Sequence, residues 1–146
     1  MQGGDVCSRI IWKLNTTRKT VQISPQTSIG YGLKIGHMLP IIVNPTTIIG
    51  DNCSISQFVT IGANHGKAAT IGNNVYIGPN VCIVEDVIVG DNVTIGAGSV
   101  VTKSIPDNAT VAGNYAKVLN YDNPGRYISN KWIAEEMGSI VEKQKK

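Results

Sequence analysis

The chain has 146 residues, 42% of them hydrophobic and only 5% aromatic, with a net charge of +3. That length suits one domain with a tail and excludes two. Residues 1–20 carry four basic groups against Asp5, but residues 21–105 carry three basic and four acidic ones; a near-neutral centre without a basic stripe or stacking aromatics argues against nucleic acid as a partner.

Residues 1–20 show no repeat. Val6, Ile10, Ile11, Trp12 and Leu14 would form a short N-terminal arm covering the start of the repeating region, since a bare parallel edge pairs with other chains. Residues 21–106 repeat every six positions: an aliphatic residue, usually a glycine, and a small or apolar residue at the fifth place. The aliphatic places fall in three runs: Ile23, Ile29, Ile35; then Val43, Ile49, Ile55, Ile61; then Ile71, Ile77, Ile83, Val89, Ile95, Val101. The step slips to eight between Ile35 and Val43 and to ten between Ile61 and Ile71.

A period of six suits a short strand and a sharp corner, with the aliphatic and fifth residues turned inward and glycine easing the corner. The fifth places include Leu39, Cys53, Ile105 and, as the one exception to small or apolar, His65. Three such units make a triangular coil, so the thirteen hexapeptides predict a little over four coils of an all-β parallel β-helix. A β-sandwich would instead show turns at wider, less regular spacing. After Pro106 the period ends. Residues 107–120 read as an extended exit strand, and Asn123-Pro124-Gly125 as a turn. Ile128, Trp132, Ile133, Met137, Ile140 and Val141 then predict one amphipathic C-terminal helix with Ser129 as N-cap.

Cys7, Cys53 and Cys82 have no paired spacing, which points to a reducing compartment, with Cys53 a core residue. No segment resembles a signal peptide or a membrane span. A cytoplasmic protein is expected.

The chain has two histidines, His37 and His65, and each lies in one of the two slips. Alone, either would read as a corner residue capping a backbone group. Two of two at breaks in a strict period favour function, because a groove on a smooth solenoid must come from its interruptions or from seams between subunits. The slips fall at different corners, so one site holding both needs corners from two chains; a homotrimer with sites at its seams is expected. Acyl transfer suits these parts: a neutral histidine takes the proton of an attacking hydroxyl, and corner N–H groups would stabilise the oxyanion.

The chain resembles the left-handed β-helix, hexapeptide-repeat acyltransferases over about residues 21–120. The stretch Gly36-His37-Met38-Leu39-Pro40-Ile41-Ile42-Val43, followed by Ile48 to Gly62, is similar to serine acetyltransferase. By that resemblance His37 is the general base and acetyl-CoA the co-substrate. The run Ile95 to Lys103, then Ala112 to Val118, resembles the family's acetyl-CoA end. It implies that Pro79, Ala97, Thr102, Lys103 and Lys117 line the CoA channel, the lysines facing its phosphates. Asn64-His65-Gly66 resembles the catalytic-histidine loop of galactoside, maltose and antibiotic acetyltransferases, which makes His65 a second catalytic candidate and Asn64 a substrate contact.

The departures bear on the acceptor. Where serine acetyltransferases pair the base with an aspartate, this chain has Gln22, which can orient an imidazole in the substrate site but not balance its charge. The Asp-Arg-His segment of the substrate loop is absent, and Tyr115 replaces a proline. Acetyl transfer is therefore the expectation, with serine or a sugar hydroxyl, as in capsular polysaccharide, as acceptor. A non-catalytic β-helix scaffold is the alternative from another class. A γ-class carbonic anhydrase needs three histidine ligands per zinc, which two histidines per chain do not supply, so no metal is expected.

Overall fold

The structure, a computed structural model, describes residues 20–37, 39–129 and 131. Most of the N-terminal arm and of the C-terminal helix read from the sequence lies outside these residues. The described chain winds as a parallel β-solenoid. The first coil is β1 (Val21–Ile23), β2 (Ser28–Ile29) and β3 (Lys34–Ile35), and the second β4 (Ile41–Val43), β5 (Ile48–Ile49) and β6 (Ser54–Ile55). The third is β7 (Thr60–Gly62), β8 (Thr70–Ile71) and β9 (Tyr76–Ile77), and the fourth β10 (Cys82–Val84), β11 (Ile88–Val89) and β12 (Thr94–Ile95). A fifth coil holds β13 (Val100–Val101), a single bridge at Ile105 and β14 (Thr110–Ala112); β15 (Lys117–Asn120) turns back antiparallel on β14.

The first strand of each coil builds face A, the second face B and the third face C. The register stacks like residues. Ile23, Val43, Ile61, Ile83 and Val101 form one inward column. Ile29, Ile49, Ile71, Val89 and Ile105 form the second. Ile35, Ile55, Ile77, Ile95 and Val111 form the third. No coil could bury this surface alone, so each is stable only as part of the stack.

Three details differ from the sequence reading. The solenoid runs past Pro106 to Val111 and has five coils, because the step from Val101 to Ile105 shortens instead of lengthening. Ile105 thereby takes the aliphatic place opposite Val89 rather than a fifth place. Leu39 is not inward but 44% exposed; Ile41, wholly buried, fills its place opposite Val21. At Gly30, Gly50, Gly72, Gly78 and Gly90 the glycine that follows an aliphatic residue serves close approach and not an unusual backbone: a Cβ on Gly50 would lie 2.6 Å from Asn73 Oδ1 and 2.7 Å from the Gly72 carbonyl oxygen. At the edge between faces B and C the left-handed corner residues are asparagines instead: Asn52, Asn74, Asn92 and Asn108, with φ of 54–63°.

The residues just before them, Asp51, Asn73, Asp91 and Asp107, hold this edge by a side-chain ladder. The Tyr31 N–H donates to Asp51 Oδ1, Asp51 N–H to Asn73 Oδ1, Asn73 N–H to Asp91 Oδ1 and Asp91 N–H to Asp107 Oδ1, at 2.6–2.9 Å. Face C is covered by the chain's own return segment. There the Gly125 N–H donates to the Asn92 carbonyl at 2.8 Å, the rings of Tyr127 and Tyr76 lie 4.8 Å apart, and Lys34 Nζ donates to Ser129 Oγ at 3.1 Å. Among the described residues nothing covers faces A and B, with Ile42 and Val84 exposed on one and Ile48 and Ile88 on the other.

The columns make each rung indispensable. Ile77→Ala, at a wholly buried middle rung, should cost about 2–5 kcal/mol, measured as a lowered denaturation midpoint with unchanged m-value.

Candidate active site

The edge between faces C and A carries His37. Two extra residues separate Ile35 from the next rung, and with Ile41 taking the inward place they are expelled outward. His37 is exposed, in the left-handed region at φ 60°, and its carbonyl accepts the Leu39 N–H at 2.7 Å. Higher on the same edge the corners stack in order. The Phe58 N–H donates to the Pro40 carbonyl, Asn80 N–H to Gln57 and Gly98 N–H to Pro79, at 2.7–3.1 Å. Pro79 and Ala97 therefore sit on the edge that begins at His37, each coil adding roughly 4.8 Å. A Cβ on Gly98 would meet nothing within 4 Å, so the edge is open there. Lys117, exposed on β15 opposite Ala112, stands at the top of this edge.

The edge between faces A and B carries His65. The inward place that spacing gave to His65 belongs to Ala69, wholly buried, and the extra residues Asn64 to Lys67 form an exposed loop. The loop is tied from both sides. Below, the Ala68 N–H donates to Thr46 Oγ1 at 2.8 Å. Above, the Asn64 N–H donates to Glu85 Oε1 at 3.2 Å and the His65 N–H to Glu85 Oε2 at 3.4 Å. Thr46 and Glu85 carried no mark in the sequence. Thr102 and Lys103 follow β13 on this second edge and are exposed.

Between the two edges, face A forms an open groove of about 1110 Å³. Gln22, Ile42, Thr60 and Cys82 line it in one register column, with Asn64 and Glu85 at its rim. The structure thus brings His37, Pro79 and Ala97 onto one edge and Gln22 and Asn64 into the groove. Within one chain it leaves His37 and His65 on different edges.

The family model described as bacterial transferase hexapeptide (six repeats) matches residues 68–103. The serine acetyltransferase of Synechococcus elongatus is 34% identical over 118 residues, covering 78% of this chain and 48% of that protein. The solved structure of serine acetyltransferase in complex with coenzyme A from Brucella abortus superposes with a TM-score of 0.72 at 32% identity, covering 78% of this chain and 47% of that one. Residues 68–103 thus carry the repeats of the hexapeptide transferases. The chain is also similar to a putative colanic acid biosynthesis acetyltransferase of Escherichia coli, 42% identical over 100 residues, covering 66% of this chain and 62% of that protein. The chain spans about half the length of the two serine acetyltransferases it matches.

The two described cysteines should behave oppositely. Burial pushes the Cys53 thiol from 9.0 up to about 11, with the charges of Asp51 and Asp91 adding to the shift and a backbone hydrogen bond to Val75 opposing it. Cys82 lies half-buried in the groove. Because the thiolate is the reactive form, in a Cys7→Ser background a thiol reagent at pH 8 should modify Cys82 in the native protein and Cys53 only after denaturation, as read by peptide mass.

Proposed function

We propose that this chain transfers an acetyl group from acetyl-CoA to an acceptor hydroxyl, with His37 as the general base. One observation carries the reading. The expelled, exposed His37 begins the same edge on which Pro79 and Ala97 stack, and it does so in a chain whose similar proteins are named acetyltransferases.

Acetyl-CoA would lie along this edge, its phosphates toward Lys117, or toward Lys103 and Thr102 of a neighbouring subunit. Lysine serves as a point charge for such groups. A neutral His37 imidazole would take the proton of the acceptor hydroxyl as its oxygen attacks the thioester carbonyl carbon. The carbon–sulfur bond then breaks, and the proton passes from the imidazolium to the departing thiolate. No bond to the protein forms. The N–H groups of Phe58, Asn80 and Gly98 donate within the ladder, so donors to the oxyanion would come from other groups than these. In this reading the protein is a cytoplasmic homotrimer, with open faces A and B meeting at the seams and His65 of one subunit brought toward His37 of the next. No helix among the described residues is long and apolar enough to cross a membrane.

For the acceptor, serine is the first reading and a sugar hydroxyl the second. One feature favours the sugar: among the described residues that line the groove on face A, Gln22, Asn44, Thr60 and Asn64 offer uncharged hydrogen bonds and Glu85 a negative charge, and none is a lysine or arginine. These described residues offer an amino acid's carboxylate no cation.

Thiol release from acetyl-CoA, measured with L-serine and then with a panel of sugars and nucleotide sugars, tests the proposal. His37→Ala should lower the rate about 10²- to 10⁴-fold with the fold intact. Release with serine, lost in His37→Ala, would support the serine reading; release only with a sugar would support the second. An unchanged rate in His37→Ala with loss in His65→Ala would transfer the base to His65. No release and no acetyl-CoA binding would leave a non-catalytic scaffold.

A further inference from the structure

We propose that Glu85 is a positioning residue for the proposed transfer: its carboxylate clamps the Asn64–His65 loop and so sets how that loop meets the acceptor in the groove on face A. The positioning role rests on the proposed acetyl transfer, and the clamp on geometry alone.

The loop leaves the solenoid because four residues exceed the period between Ile61 and Ile71. An excursion of this kind has no ladder partner of its own along the stack. Glu85 supplies one from the next coil. Two successive backbone N–H groups, of Asn64 and His65, point to its two oxygens, one each. This is a two-point clamp between a charged acceptor and the main chain, at 3.2 and 3.4 Å. The residue is itself held in place: its N–H donates to the Gly62 carbonyl at 2.8 Å and its carbonyl accepts the Val87 N–H at 2.9 Å.

The backbone of Glu85 is an independent sign. Its φ is 63°. Among the described non-glycine residues with positive φ, five are asparagines, which tolerate this region; the others are His37, Phe58 and Glu85. A glutamate is an unfavourable choice for such a corner. The structure supplies a reason for it, since this corner lies one coil above the loop and aims the carboxylate at two donors.

The clamp has a direct bearing on the site. Glu85 and Asn64 both line the groove, and His65 follows Asn64. With Thr46 fixing the far end of the loop at Ala68, the carboxylate fixes the near end, and the directions of the Asn64 amide and the His65 imidazole follow. Glu85 is not a base in this scheme. It acts through the loop.

The test uses the full chain with Glu85→Ala and Glu85→Gln. Amide hydrogen exchange at Asn64 and His65 should accelerate roughly ten- to a hundred-fold in Glu85→Ala, the scale of losing hydrogen bonds to a charged group. The smaller change in Glu85→Gln would show partial rescue by its one remaining carbonyl oxygen. Exchange at Ile61 and Ile83 should stay unchanged, which shows that the coils remain folded. In thiol-release assays with L-serine and D-glucose as acceptor probes, the KM of the accepted probe should rise several-fold in Glu85→Ala while the KM for acetyl-CoA holds. Unchanged exchange at Asn64 and His65 overturns the clamp; faster exchange with an unchanged acceptor KM overturns the positioning role. A wild-type chain that releases no thiol would overturn the transfer reading and the positioning role built on it, while the exchange still decides the clamp.

Discussion

Each coil of this protein must set an aliphatic side chain directly over the one beneath it. Ile35, Ile55, Ile77, Ile95 and Val111 are one such column, and two more complete the triangle. The hydrophobic term rewards the stack and not the single coil. Everything else yields to this constraint. At the edge between faces B and C, glycine follows the aliphatic residue at Gly30, Gly50, Gly72 and Gly90 because the ladder of aspartate and asparagine side chains presses against its Cα, and asparagine takes the corner because it accepts a left-handed backbone.

The same constraint decides where function has room. An insertion cannot enter the core, so it leaves through an edge, and the inward place it vacates is refilled at once. Ile41 refills the place lost at Leu39, and Ala69 the place lost at His65. What is expelled is then free to carry chemistry, and both histidines are expelled in this way. Face C is withdrawn by the return segment through Gly125 and Tyr127, so among the described residues the open surface is faces A and B with the edges beside them.

Much of this was legible in the sequence because a six-residue period is a direct image of the rungs. The solenoid and its two interruptions could be counted, but the count gave His65 an inward place that the structure gives to Ala69. The counting failed where the step shortened: Ile105 reads as a fifth place, and only its bridge to Val89 shows that the stack continues to Val111. It also failed across coils. Glu85 stands twenty residues from His65, and nothing local marks it; its role depends on which corner lies above which loop, and that follows only from the register. Of the residues drawn from the resemblance, Lys117 could not be placed on an edge without the coil count past Val101, where the step shortens.

One edge, from His37 to Ala97, is proposed to bind acetyl-CoA and present its thioester to the expelled histidine. A crystal structure of the protein with acetyl-CoA tests this most directly. The expected result is a pantetheine arm running along Phe58, Pro79 and Ala97, with the thioester carbonyl carbon beside His37. Density for acetyl-CoA on the edge between faces A and B, away from His37 of every subunit, would contradict it.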